Sequence, residues 1–68
     1  MSMSYDFCMA RAREAGERAE STALENVRER ELRSEAAWTE MAEREQMVTR
    51  AREKARVEKE AALAAMLE

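Results

Sequence analysis

Residues 16–25, with the sequence GERAESTALE, decide whether the chain forms one helix or two. Gly16 is the only glycine in the chain, and glycine weakens a helix by about 1 kcal/mol relative to alanine. Thr22-Ala-Leu-Glu25 matches the capping-box pattern found at helix starts. The intervening residues 17–20 are good helix formers. Two outcomes are therefore open: a sharp turn at residues 16–22, or one continuous or gently bent helix.

The composition favours helix on both sides of this stretch. The chain has no proline and no isoleucine, whereas alanine, glutamate and arginine, all good helix formers, are abundant. We predict an all-α fold and a single helical module over residues 1–68. If the chain turns, helix 1 covers about 4–20 and helix 2 about 22–67. Ser2 or Ser4 is the expected N-cap of helix 1, with Asp6 in the first turn.

Apolar side chains recur at helical spacing and predict the packing faces. One face runs from Tyr5 to Val27, and a heptad series continues it along helix 2. The second heptad position carries charge at Glu31, Glu45, Arg52 and Lys59, which argues against a parallel leucine zipper and favours an antiparallel pair or a bundle. The predicted interface residues are Tyr5, Cys8, Ala12, Ala15, Ala19, Ala23, Val27, Trp38, Met41, Val48 and Ala55.

The small number of large apolar side chains predicts that the chain needs a partner. A chain of 68 residues is short for an independent core, and 14 of its apolar residues are alanine. We therefore expect a homo-oligomer, as a dimer or helical bundle, with a different protein as the other candidate partner. Trp38, surrounded by alanine and methionine, is the expected anchor.

No constellation of residues indicates an enzyme. The chain has no histidine, which removes the usual general base near neutral pH and every histidine-containing metal site. No glycine-rich phosphate loop is present, because the only glycine lies between Ala15 and Glu17. We predict no catalytic residue, no cofactor and no metal. Cys8 has two interpretations, a reactive thiol near a helix N-terminus or a small buried side chain on the apolar face.

Charge and hydropathy indicate a cytoplasmic protein without a membrane span. The formal net charge is -3, and opposite signs alternate along the chain, so nucleic acid is not an expected partner. The basic segment 49–56 is interrupted and flanked by glutamates. The N-terminus lacks the pattern of a signal peptide, and the longest apolar run, 61–67, is too short to cross a bilayer.

Two segments, Tyr5–Glu20 and Glu25–Arg44, resemble short uncharacterised α-helical proteins encoded in bacterial genomes. The resemblance implies a bacterial, cytoplasmic origin and brings no known activity. The sequence thus favours a non-enzymatic helical self-association or scaffold protein. The first alternative is a small regulatory helix, of inhibitor or antitoxin type, that folds against another protein. A weaker alternative is a nucleic-acid-binding helix that uses Arg50, Arg52, Lys54 and Arg56.

Overall fold

Two α-helices make up almost the whole fold in the computed structural model, which describes residues 4–68. Helix α1 spans Tyr5–Ser21, and helix α2 spans Glu25–Met66. No strand occurs between residues 4 and 68, so the prediction of an all-α fold is confirmed. Residues 22–24 are not helical, so the prediction of one continuous helix is wrong.

A serine hydroxyl starts α1. Ser4 is the N-cap, and its Oγ accepts a hydrogen bond from the backbone N–H of Phe7 at 3.1 Å. This satisfies one of the backbone donors that a helix leaves free in its first turn. Asp6 lies in that turn, where the helix dipole favours a negative charge. Ser4 is confirmed as the cap, and Ser2 lies outside the described residues.

The turn falls at residues 22–24, at the late edge of the predicted stretch. Gly16 lies inside α1 and does not break it. The capping box is wrong, because Thr22 is the C-cap of α1 and Leu24 is the N-cap of α2. The Thr22 hydroxyl instead accepts a hydrogen bond from the Leu24 N–H at 3.2 Å, a local turn that competes with helix.

An arginine of α2 holds this turn closed. The guanidinium of Arg28 donates to the backbone carbonyl of Ala19 at 3.4 Å and to that of Thr22 at 3.1 Å. The last carbonyls of a helix have no intrahelical partner and carry partial negative charge, so a cation is favoured there. Arg28 also pairs with Glu25 at 3.3 Å. The side chain therefore ties the end of α1 to the beginning of α2.

The two helices pack side by side in opposite directions. Arg18 lies beside Glu31, whereas Phe7, eleven residues earlier in α1, lies beside Trp38. Five residues are buried in this contact, and all have small side chains: Cys8, Ala12, Ala15, Ala19 and Ala42. Small side chains let the helix axes approach closely but contribute little hydrophobic free energy.

The buried face of α1 is shorter than predicted. It ends at Ala19, because the turn moves Ala23 into the connection and Val27 onto α2. The last buried residue of α2 is Ala42, and every residue from Met47 to Glu68 is exposed. The structure measures 67 × 19 × 13 Å, so the helices pair over only part of α2. We call residues 47–66 the free half of α2.

We predict that Ala15→Leu destabilises the contact between the helices. Ala15 is fully buried, and a larger side chain there would push α1 and α2 apart at a cost of about 1–3 kcal/mol. Thermal unfolding followed by circular dichroism measures the effect. The matched control is Ala36→Leu at an exposed site of α2, which should leave the midpoint nearly unchanged. Equal midpoints for the two variants would contradict this packing.

Candidate interaction surfaces

An aromatic contact lies where the beginning of α1 meets the middle of α2. The rings of Phe7 and Trp38 are edge to face, with centroids 5.9 Å apart and an interplanar angle of 76°. The guanidinium of Arg11 lies 5.3 Å from the Phe7 centroid, within the range of cation–π attraction. Phe7 keeps 45% of its surface exposed. This end of the helix pair therefore presents aromatic surface to solvent.

A charged pair crosses the helix contact near the turn. Arg18 Nε donates to Glu31 Oε2 at 3.0 Å, and only 15% of the Glu31 side chain is exposed. The glutamate that interrupts the predicted heptad seam is thus accommodated by an arginine of α1. Glu14, one turn before Arg18, pairs with Arg11 at 2.7 Å.

A shallow groove of about 370 Å³ runs between the helices beside the turn. Its apolar floor includes Ala19 and Leu32, and the carboxylates of Glu20 and Glu35 lie at its sides. Gly16 belongs to the same groove, and a Cβ atom at this position would collide with the Glu35 carboxylate. The carboxylate is the far end of a flexible side chain, so a Cβ atom at residue 16 would require only that side chain to shift.

A second apolar face of α2 points away from α1. Helix α2 meets α1 through Glu31, Trp38 and Ala42. At about 100° per residue, the other face is centred roughly 130° around the helix from Ala42. We call it the free face of α2, and its apolar residues are Ala37, Met41, Val48, Ala55, Ala62 and Met66. Met41 is half-buried and the other five are exposed. The exposed cations Arg30, Arg44 and Lys59 lie on the same face. This face runs through the free half of the helix.

The structure distributes the predicted interface residues over three environments. Four are buried between the helices: Cys8, Ala12, Ala15 and Ala19. Three are half-buried: Val27, Trp38 and Met41. Four are exposed: Tyr5, Ala23, Val48 and Ala55. Cys8 is only 1% exposed, which agrees with a small buried side chain. In the single chain the predicted residues of α1 are mostly buried, whereas those of α2 are half-buried or exposed.

Two contact residues were missed from the sequence. Ala42 is fully buried, and Phe7 touches Trp38. The spacing of four between Trp38 and Ala42 places both on one face of α2 and was the available signal. Phe7 carries no such signal, because its partner becomes known only when the turn fixes which part of α2 lies beside α1.

The charge of α2 changes sign along its length. Residues 25–46 hold seven acidic and four basic side chains, and residues 47–59 hold two acidic and five basic ones. The two segments thus carry net charges of -3 and +3. Within the basic segment, hydrogen bonds from Arg56 to Glu53 and then to Glu60 raise the pKa of the Arg56 guanidinium. That cation is already paired inside its own helix.

Residues 4–68 contain no group of three or more cysteine, aspartate or glutamate side chains placed to hold a metal ion. Within the same described part of the chain, neither helix is long and apolar enough to cross a membrane. Comparison with protein-family models, with curated proteins and with solved structures found no match. The free half of α2, the free face of α2 and the Phe7–Trp38 contact are thus the candidate interaction surfaces.

We predict that Phe7 and Trp38 are energetically coupled. Edge-to-face aromatic pairs contribute about 0.5–1.5 kcal/mol beyond the burial of each ring. A cycle of Phe7→Ala, Trp38→Ala and the double variant, measured by chemical denaturation at one protein concentration, should give a coupling energy in that range. The matched cycle uses Tyr5→Ala in place of Phe7→Ala and should be close to additive. Additivity in the Phe7 cycle would mean that the Phe7–Trp38 contact contributes no coupling energy, which contradicts the prediction.

Proposed function

We propose that this protein is a helical self-association module, which forms a dimer or bundle and serves as an interaction or scaffold element. The supporting observation is its excess of exposed surface. The single chain of 7.8 kDa exposes 5723 Å², whereas a compact monomer of this mass exposes about 4,400 Å². The excess of about 1,300 Å² is larger than the roughly 800 Å² that each partner contributes to a standard interface.

The free half of α2 also supports self-association. Most helical stability in proteins comes from packing of an apolar face, yet residues 47–66 have no neighbouring helix in the single chain. Val48 is 38% exposed, Val57 50% and Leu63 50%. Ion pairs of Arg56 with Glu53 and Glu60 support the helix, but surface pairs contribute at most about 1 kcal/mol each. A partner helix would supply the missing packing.

The small core supports self-association as well. The buried set of one cysteine and four alanines lacks any large aliphatic side chain. Burial of such residues stabilises a fold far less than burial of leucine or phenylalanine, at about 0.8 kcal/mol per CH₂ group. A second copy would cover Val48 and the exposed alanines of the free face and so extend the core.

We expect a discrete oligomer in solution. Size-exclusion chromatography with light scattering should give a dimer or a larger defined species at micromolar concentrations. Circular dichroism over a dilution series should show helicity falling together with the fraction of oligomer, because folding and association are linked by mass action.

Two results would contradict self-association and point elsewhere. A monomer of low helicity at every concentration would favour the alternative in which the chain folds against another protein. Binding to random duplex DNA that is lost steeply between low and physiological salt would favour a nucleic-acid partner. A well-folded monomer whose helicity does not change with dilution would exclude the proposal without favouring either alternative.

A further inference from the structure

We propose that a second copy of this chain binds an exposed face of α2 whose charges change sign along the helix, and that the two α2 helices lie antiparallel there. This inference rests on the proposed self-association and adds the surface, the orientation and the register. We call the surface the charge-reversal face. At about 100° per residue it is centred roughly 110° around the helix from Ala42, in the direction opposite to that of the free face. The contact therefore leaves α1 in place and the free face open to further copies.

The charges of this face differ between the two halves of α2. Within about 50° of its centre, residues 47–66 contribute the cations Arg50 and Lys54 and, at one edge, Glu58. Residues 25–46 contribute no cation and four glutamates, which are Glu25, Glu29, Glu40 and Glu43. All seven side chains are exposed. Parallel helices in register would set each charge against itself, whereas antiparallel helices set glutamates against cations. Like charges across a helix pair destabilise it, so the antiparallel orientation is favoured.

The same face carries exposed apolar side chains spaced along its length. Leu32 is 47% exposed, Met47 is 70% exposed and Val57 is 50% exposed. The exposed Ala36 and Ala61 lie on this face as well. Removal of apolar surface from water is the main favourable term in most protein association. The face therefore offers a second copy apolar area together with matching charges.

The charges at the middle of the face lack partners in the single chain. Within residues 4–68, the ion pairs do not include Glu40, Glu43, Arg50 or Lys54. Glu43 and Arg50 are about 10 Å apart along one helix, and Glu40 and Lys54 about 21 Å apart, so neither pair can form within a copy. An antiparallel second copy brings both pairs together.

These two ion pairs agree on one register. Antiparallel helices pair residues whose numbers have a constant sum. The sum is 93 for Glu43 with Arg50 and 94 for Glu40 with Lys54. Met47 of one copy then meets Met47 of the other at the two-fold axis. Symmetry repeats each ion pair, so the contact contains four of them.

The same register matches the apolar side chains. Leu32 of one copy lies opposite Ala61 of the other, and Ala36 lies opposite Val57. Each of these contacts sets a larger side chain against an alanine, which lets the helices approach without an overlap of two large groups.

The remaining glutamates of the face are also accommodated. Glu58 has Lys54 one turn before it on its own helix, and Arg33 of the second copy lies at the same edge of the contact. Glu25 lies beyond the overlap of the two helices and pairs with Arg28. The register thus places no two like charges directly opposite each other on this face.

Directed cross-linking tests surface, orientation and register together. In a Cys8→Ala background, Ala36→Cys is made on one chain and Val57→Cys on a chain with a size tag. The two proteins are mixed in a glutathione redox buffer. We expect a mixed disulfide between the chains as the main product and an about tenfold smaller yield of either homodimer, because a disulfide needs closely spaced Cβ atoms. The matched control replaces Val57→Cys by Ala55→Cys on the free face, which should cross-link weakly.

The other outcomes separate this inference from the proposal beneath it. Homodimer disulfides without the mixed product mean parallel helices and overturn the antiparallel orientation. An oligomer by light scattering without cross-links, or with equal yields at positions 55 and 57, keeps self-association and removes the charge-reversal face. A monomer under the same conditions overturns both.

Charge reversal supplies an independent test of the ion pairs. Glu43→Arg and Arg50→Glu should each raise the dimer dissociation constant about threefold to tenfold, whereas the double variant should restore it. Analytical ultracentrifugation at low salt measures the constants, because surface pairs are screened by salt. The matched control is Arg52→Glu, which makes the same change of charge about 160° away around the helix and should not restore Glu43→Arg. Equal behaviour of Arg50→Glu and Arg52→Glu in the double variants overturns the register.

Discussion

The close packing of small side chains between α1 and α2 is the constraint on which the rest of the structure depends. Cys8, Ala12, Ala15 and Ala19 place α1 directly against α2, and Ala42 lies on the opposing surface. A contact made of methyl groups and one thiol tolerates little change in shape, because interiors are packed to the density of crystals. It also buries little apolar area, so it orients the helices more than it stabilises them.

Interactions at the two ends of this contact add to its small core. Near the turn, Arg28 binds two carbonyls at the end of α1, and Arg18 pairs with the partly buried Glu31. At the far end, Phe7 and Trp38 supply the large apolar contact that the alanines lack. The small-residue contact thus lies between the charged contacts near the turn and the aromatic contact at the far end.

As a result, the two halves of α2 differ in their contacts. Its first half binds α1 through Glu31, Trp38 and Ala42, while its second half has no neighbouring helix among residues 4–68. The interrupted heptad series of the sequence does not describe the contact with α1, since Ala42 rather than Met41 is the buried residue. The apolar pattern of α2 is irregular because the helix has two apolar faces, and the residues of the two faces are interleaved in the sequence.

The sequence by itself determined the helical fold, a serine N-cap at residue 2 or 4 and the small-residue face of α1, because helix propensity, capping and spacing are local properties. It did not determine the turn. The local signals spread the break over residues 16–22, whereas Gly16 lies inside α1 and the turn falls at residues 22–24, where Arg28 binds the end of α1 from nine residues beyond Ala19. Phe7 and Ala42 likewise became contact residues only when the two helices came together. Tertiary structure decided the position of the turn and these contact residues. Each depends on a side chain that is distant in the sequence, and local sequence patterns do not include such side chains.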